Sequence, residues 1–81
     1  MRGIIDIANA GHGRYSAQMD DASFIAFEIM DGIELRSGTV FEADLRGHGG
    51  ETFRTADGEE FSVFVEMLGA SRATACAWAL A

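Results

Sequence analysis

The sequence predicts a mainly β domain, with five or six short antiparallel strands closed or nearly closed into a small barrel and a short C-terminal helix. Three observations carry that expectation. Odd-numbered positions are apolar in run after run: Ile5 and Ile7, then Tyr15, Ala17 and Met19, then Ile25, Phe27 and Ile29. Phe41, Ala43 and Leu45 continue the row, and Phe53, Phe61, Val63, Val65 and Met67 complete it. Side chains alternate faces along a strand, so each run places one apolar row on a shared core. Short breaks rich in Gly, Asp and Ser separate the runs, and the chain has no proline. The tail abandons alternation for alanines at helical spacing.

The elements follow in order. A first strand is expected over residues 3–8, followed by the loop Asn9-Ala10-Gly11-His12-Gly13, whose residues tolerate positive φ. Residues 14–19 return, and Asp20-Asp21-Ala22-Ser23 breaks the chain again. Residues 24–30 form a strong strand, with Asp31-Gly32 as the best hairpin signal and residues 33–36 leading out of it. Residues 39–45 form the next strand, and Arg46-Gly47-His48-Gly49-Gly50 a second glycine-rich loop. Residues 51–55 then pair across Asp57-Gly58 with residues 60–68, and Gly69 breaks the last strand. Ser71 is the expected N-cap of a helix over residues 71–80. Ala73, Cys76, Ala77 and Leu80 make its expected buried stripe, which docks on an open end of the barrel or across a sheet face. So short a helix needs that docking to be stable.

Eighty-one residues make one domain, residues 1–81, near the lower size at which a core alone stabilises a fold. Cys76 is the only cysteine, which excludes an intrachain disulfide and a paired-cysteine zinc site. Asp6 interrupts the only N-terminal apolar run, and no run approaches the roughly 20 residues that span a bilayer. The expectation is a soluble, cytoplasmic chain with no membrane partner. Thirteen acidic residues against six basic ones give a net charge of −7, which repels phosphates and argues against nucleic acid. Every basic residue is arginine, the cation that clamps a carboxylate with two hydrogen bonds.

On a barrel the even-numbered face points outward and should be polar. Asp6, Glu28, Glu42, Asp44, Ser62 and Glu66 obey, whereas Ile4, Phe24, Met30, Val40, Phe64 and Leu68 do not. The helix is expected to cover some of these. The remainder, with carboxylates around it, is the candidate interaction surface: Phe24, Met30, Phe64 and Leu68, with Trp78 at the barrel rim or facing a partner.

Gly-His-Gly occurs twice, at residues 11–13 and 47–49. Were both loops at one barrel end, His12 and His48 would converge, and Asp44 could complete a site for zinc or iron. The second loop also offers successive backbone N–H groups to an anion, although it precedes a strand and lacks the Lys-Ser/Thr of a P-loop. Asp20-Asp21 and Glu59-Glu60 are adjacent pairs at turns, whose carboxylates diverge rather than share a cleft. Cys76 is read as an inert thiol on the helix stripe, and no serine has a nucleophile context.

A sheet of this size with tight hairpins and one helix fits the OB-like or SH3-like small barrels. Residues 27–45, FEIMDGIELRSGTVFEADL, are broadly similar to hairpins of the wider SH3 and Sm-like class. That similarity covers under a quarter of the chain and brings no residue or activity with it. The expected function is a non-catalytic module that binds another protein or itself as a homo-oligomer, with carboxylates setting specificity and no cofactor implied. An acidic barrel mimicking nucleic acid on a partner would use the same face. The alternative is a small metal- or ligand-binding protein using the two Gly-His-Gly loops.

Overall fold

In the computed structural model, which describes Met1–Ala81, the alternating runs become six strands. They are β1 (Arg2–Asn9), β2 (Arg14–Met19), β3 (Phe24–Ile29), β4 (Val40–Ala43), β5 (Gly49–Thr55) and β6 (Glu60–Ala70), followed by helix α1 (Arg72–Leu80). All neighbours are antiparallel, and the ring order β1-β2-β3-β6-β5-β4 closes where β4 pairs with β1. Two three-stranded meanders thus face each other. The small closed barrel with a C-terminal helix matches the fold class read from the sequence.

Closure needs one side chain from each inner position, and the odd row supplies them. Tyr15, Phe27, Phe41, Phe53 and Val63 are fully buried, as are Ala17 and Val65. Phe41 stacks on Phe53 with ring centroids 5.0 Å apart, and Phe27 meets Phe53 edge-on at 5.1 Å. Burying each such ring stabilises the fold by about 1.5–3 kcal/mol. Gly3 occupies an inner position beside Phe41 and Met19, leaving room for the ring.

The alternation breaks at two bulges. In β1 the register slips between Ile5 and Ile7, so Asp6 is the extra residue and Ile7 pairs with Ser16. Ser16 is an outer-face residue, and Ile7 therefore leaves the interior row. In β6, Val65 pairs with Phe27 but Met67 pairs with Ala26, so parity reverses between them. Met67 joins the outer face with Ala26, and Leu68 turns inward against the core.

Asp31-Gly32 makes no hairpin. β3 and β4 lie on opposite sides of the ring, so the connection over residues 30–39 crosses one barrel end. The Asp31 carboxylate accepts the Ser62 N–H at 2.9 Å and ties the start of the crossing to β6. Leu35 is buried at the barrel mouth, Ile33 packs beside the core, and the Tyr15 hydroxyl accepts the Leu35 N–H at 3.2 Å. Residues 33–36 are therefore a plug rather than a strand.

The helix lies across the outer face of β1, β2 and β3. Its buried residues are Ala75 and Ala79, while Ala73, Ala77 and Leu80 are exposed and Cys76 is half-buried. The expected stripe is thus rotated. Ala75 and Ala79, four residues apart, face a floor of small residues, Ser16 and Ala26, both fully buried. Ser71 caps the helix by accepting the Thr74 N–H at 3.2 Å. At the far end Asn9 donates to the Ala79 carbonyl at 2.8 Å and Arg14 to the Trp78 carbonyl at 3.2 Å, satisfying carbonyls the helix leaves open.

Candidate functional site

The bulge at Asp6 aims its carboxylate at the start of α1. Arg72 donates to it through Nε at 2.9 Å and through an Nη at 3.2 Å, and the Cys76 thiol donates at 3.3 Å. The Arg72 hydrogen bonds hold the Asp6 carboxyl below the usual carboxylate range, against the opposing effect of its partial burial. A cation in the first turn opposes the helix dipole, and Asp6 offsets it. Nothing in the spacing of Asp6, Arg72 and Cys76 marks this cluster in the sequence. Its geometry is that of a helix clamp.

The Gly-His-Gly loops do not meet. His12 follows β1, and His48 follows β4, which runs antiparallel to β1, so the two imidazoles sit at opposite barrel ends. Asp44 is engaged by Arg46, whose Nε and Nη2 donate to its Oδ2 at 3.3 and 3.0 Å. No three His, Cys, Asp or Glu side chains gather into a metal-sized cluster. The second loop also lacks the expected row of free N–H groups, because Gly49 and Gly50 lie in β5 opposite Val65 and Phe64.

The candidate interaction residues separate into three locations. Leu68 packs inward on the core, so it is not part of any outer surface. Phe24 is half-buried on β3 and shares a groove with Ile4, Gln18 and Arg72 beside the helix start. Trp78 is half-buried on α1 with the Arg14 guanidinium 4.6 Å above its ring, an arrangement that favours the cation electrostatically. Phe64 and Met30 remain. They are 42% and 63% exposed, as are Met1, Ile4 on β1 and Leu80 on α1 to comparable degrees.

These two are neighbours. Phe64 pairs across to Glu28 on β3, and Met30, the first residue beyond β3, donates its N–H to the Ser62 carbonyl at 2.9 Å, two residues before Phe64. Glu28 flanks Phe64 on β3, and Glu66 follows it by two residues on β6. On the other side Gly50 and Ser62 border both Phe64 and a shallow depression of about 620 Å³, which Asp44, Arg46 and Glu51 also line.

Charge is distributed unevenly around the ring. Arg2 pairs with Glu42 at 3.3 Å, Arg54 with Glu60 at 3.8 Å, Arg46 with Asp44 at 3.0 Å and Arg72 with Asp6 at 2.9 Å. Three of these compensate the β4–β5 side and one the helix clamp. The other nine of the thirteen carboxylates, Glu28, Glu51 and Glu66 among them, make no ion pair, and Arg14 stands directly across β2–β3 from Glu28. Glu28 and Glu66 border Phe64.

Comparison with family models, with curated proteins and with solved structures finds no match to this chain. No helix is long and apolar enough to cross a membrane.

Proposed function

We propose that this chain is a non-catalytic protein-interaction module, and that Phe64 and Met30 form the centre of its contact surface. The carrying observation is their placement: Phe64 is exposed on the outer face of β6, and Met30, exposed just beyond β3, bonds the β6 backbone two residues before it. A single exposed hydrophobic residue is ordinary, whereas contiguous ones within a polar border are the usual anatomy of a contact site. The net charge of −7 and the Glu28 and Glu66 carboxylates beside Phe64 disfavour nucleic acid at this face.

The test is a paired substitution, Phe64→Ser with Met30→Ser, read by light scattering over a concentration series and by capture of binding partners, with thermal melting as the control for folding. The reading expects the variant to fold and to lose the association seen for the parent chain. Unchanged association in a folded variant would refute it. A chelator arm is included, because association that depends on metal would return attention to the histidine loops.

A further inference from the structure

The two Gly-His-Gly loops mark a larger equivalence. Residues 11–13 lie between β1 and β2, and residues 47–49 lie where β4 passes to β5, an offset of 36. The same offset carries the β2–β3 ladder onto β5–β6. Arg14↔Glu28 becomes Gly50↔Phe64, Ala17↔Ile25 becomes Phe53↔Phe61, and Gln18↔Phe24 becomes Arg54↔Glu60. Positive φ recurs with it, at Gly13 and Gly49 and at Ala22 and Gly58. Only the β1–β2 ladder, which carries the Asp6 bulge, departs from its β4–β5 counterpart. Between the halves, Ile4 pairs with Val40 and Glu28 with Phe64, so each seam sets a residue against its own counterpart. A twofold axis therefore passes through both seams, which is why the two histidines lie at opposite ends.

We propose that the chain associates with a second copy of itself by exchanging these half-barrels, residues 2–29 of one chain closing on residues 40–80 of the other. This does not rest on the reading of Phe64 and Met30. Three observations support it. First, the contact between the halves is self-complementary, the property that a closed twofold assembly of two copies requires. Second, the halves are joined by residues 30–39 alone, and the β1–β4 seam has only three pairs. Third, exchange re-forms every strand pair, and α1, which follows β6 but packs on β1, β2 and β3, would carry Arg72 to the Asp6 of the other chain. The cost is confined to re-routing the connection and to association itself.

The experiment mixes full-length single-cysteine variants in a Cys76→Ser background. Arg2→Cys chains are refolded from urea at high concentration with Glu42→Cys chains and oxidised with glutathione disulfide. Arg2 and Glu42 pair across the β1–β4 seam, so exchange brings thiols of two different chains into disulfide range. Arg54→Cys with Glu60→Cys is the matched comparison, an exposed ion pair within one half, which exchange keeps inside a single chain. A covalent heterodimer is expected from the first mixture and not from the second. Amide spectra check that each variant folds, as expected for side chains more than half exposed. The unsubstituted chain, refolded in the same way, should give a dimer by light scattering that persists on dilution, because reversal requires both seams to open. A chain that stays monomeric, cross-linking in neither mixture, or equal cross-linking in both would overturn the proposal. A dimer that dissociates readily on dilution and cross-links in neither mixture would assign association to an outer face instead.

Discussion

Gly3 and Gly50 are both strand glycines without positive φ, yet the same substitution should move stability in opposite directions at the two sites. Replacing glycine by alanine within a strand ordinarily stabilises by about 0.5–1 kcal/mol, because the unfolded chain loses freedom. At Gly50 a new Cβ would meet nothing within 4 Å, so Gly50→Ala should realise that gain. At Gly3 the new Cβ would lie 2.5 Å from the Phe41 Cζ and 2.8 Å from the Met19 sulfur. The ring has no easy retreat: Phe41 is fully buried, stacked on Phe53 at 5.0 Å and bounded by Phe27 at 6.0 Å. Overpacking of this kind costs about 1–3 kcal/mol, which outweighs the gain. The net for Gly3→Ala is a loss of roughly 1–2 kcal/mol, or about 4–16 °C in Tm for a domain of this size. Urea melts of both variants give the assay, with unchanged m-values required for a direct comparison. Phe41→Leu should relieve the penalty, so the double-mutant cycle should show a coupling of about 1 kcal/mol or more between positions 3 and 41. A Gly3→Ala protein as stable as Gly50→Ala would refute the packing argument.

Tyr15→Phe leaves the buried Leu35 N–H without its acceptor, and should cost about 1–3 kcal/mol while speeding hydrogen exchange at Leu35. Asp6 has its folded pKa depressed by Arg72, so its contribution is fully present above the unfolded value of about 3.9 and is lost as pH falls through the folded pKa. Asp6→Asn should therefore melt below the parent at neutral pH, with the gap closing only in acid, as thermal melts across pH will record. Ala79→Leu forces a larger side chain against the strands under α1, and should destabilise by about 1–3 kcal/mol in a denaturant melt. Phe64→Thr keeps a good strand former at an outer position already 42% exposed, and should cost no more than about 1 kcal/mol in the same measurement. A larger loss would make Phe64 a structural residue.

The rows that remained legible in the sequence are those with an unbroken ladder. Phe53, Phe61, Val63 and Val65 alternate without interruption, and all four are interior. Ile7, Met67 and Leu68 misled because a bulge is a property of two paired strands, and nothing in either strand alone reports the slipped register. Asp31-Gly32 carries genuine turn chemistry, but a local turn does not decide which strand β3 pairs with. That choice is made by the burial of Leu35 in the barrel mouth and by β6 pairing with β3. The helix face was ambiguous for a simpler reason. Alanine stands at 73, 75, 77 and 79, and the stripe through Ala73 and Ala77 also carries Cys76 and Leu80, so it reads as the more apolar of two at the same spacing. The Asp6–Arg72 contact and the floor of Ser16 and Ala26 favour one of them. Phe64 and Met30 were visible as apolar residues on the outer parity, since no bulge lies between them and the rows that fixed that parity. The separation of His12 from His48 depended on strand direction at β4, which the two identical tripeptides do not encode.

The covered and uncovered parts of the outer face obey different logic. Beneath α1 the outer residues are small, Ser16 and Ala26, because the helix must approach closely, and the bulge adds Ile7 to that side. Around Phe64 there is no such cover, and a polar or β-branched residue would serve the barrel equally well, since outer strand positions contribute little to the core. Carboxylates flanking an exposed aromatic do discourage aggregation. That role needs negative charge nearby, but it does not need the aromatic. The exposed aromatic is thus the feature of this face that the barrel's own packing does not require.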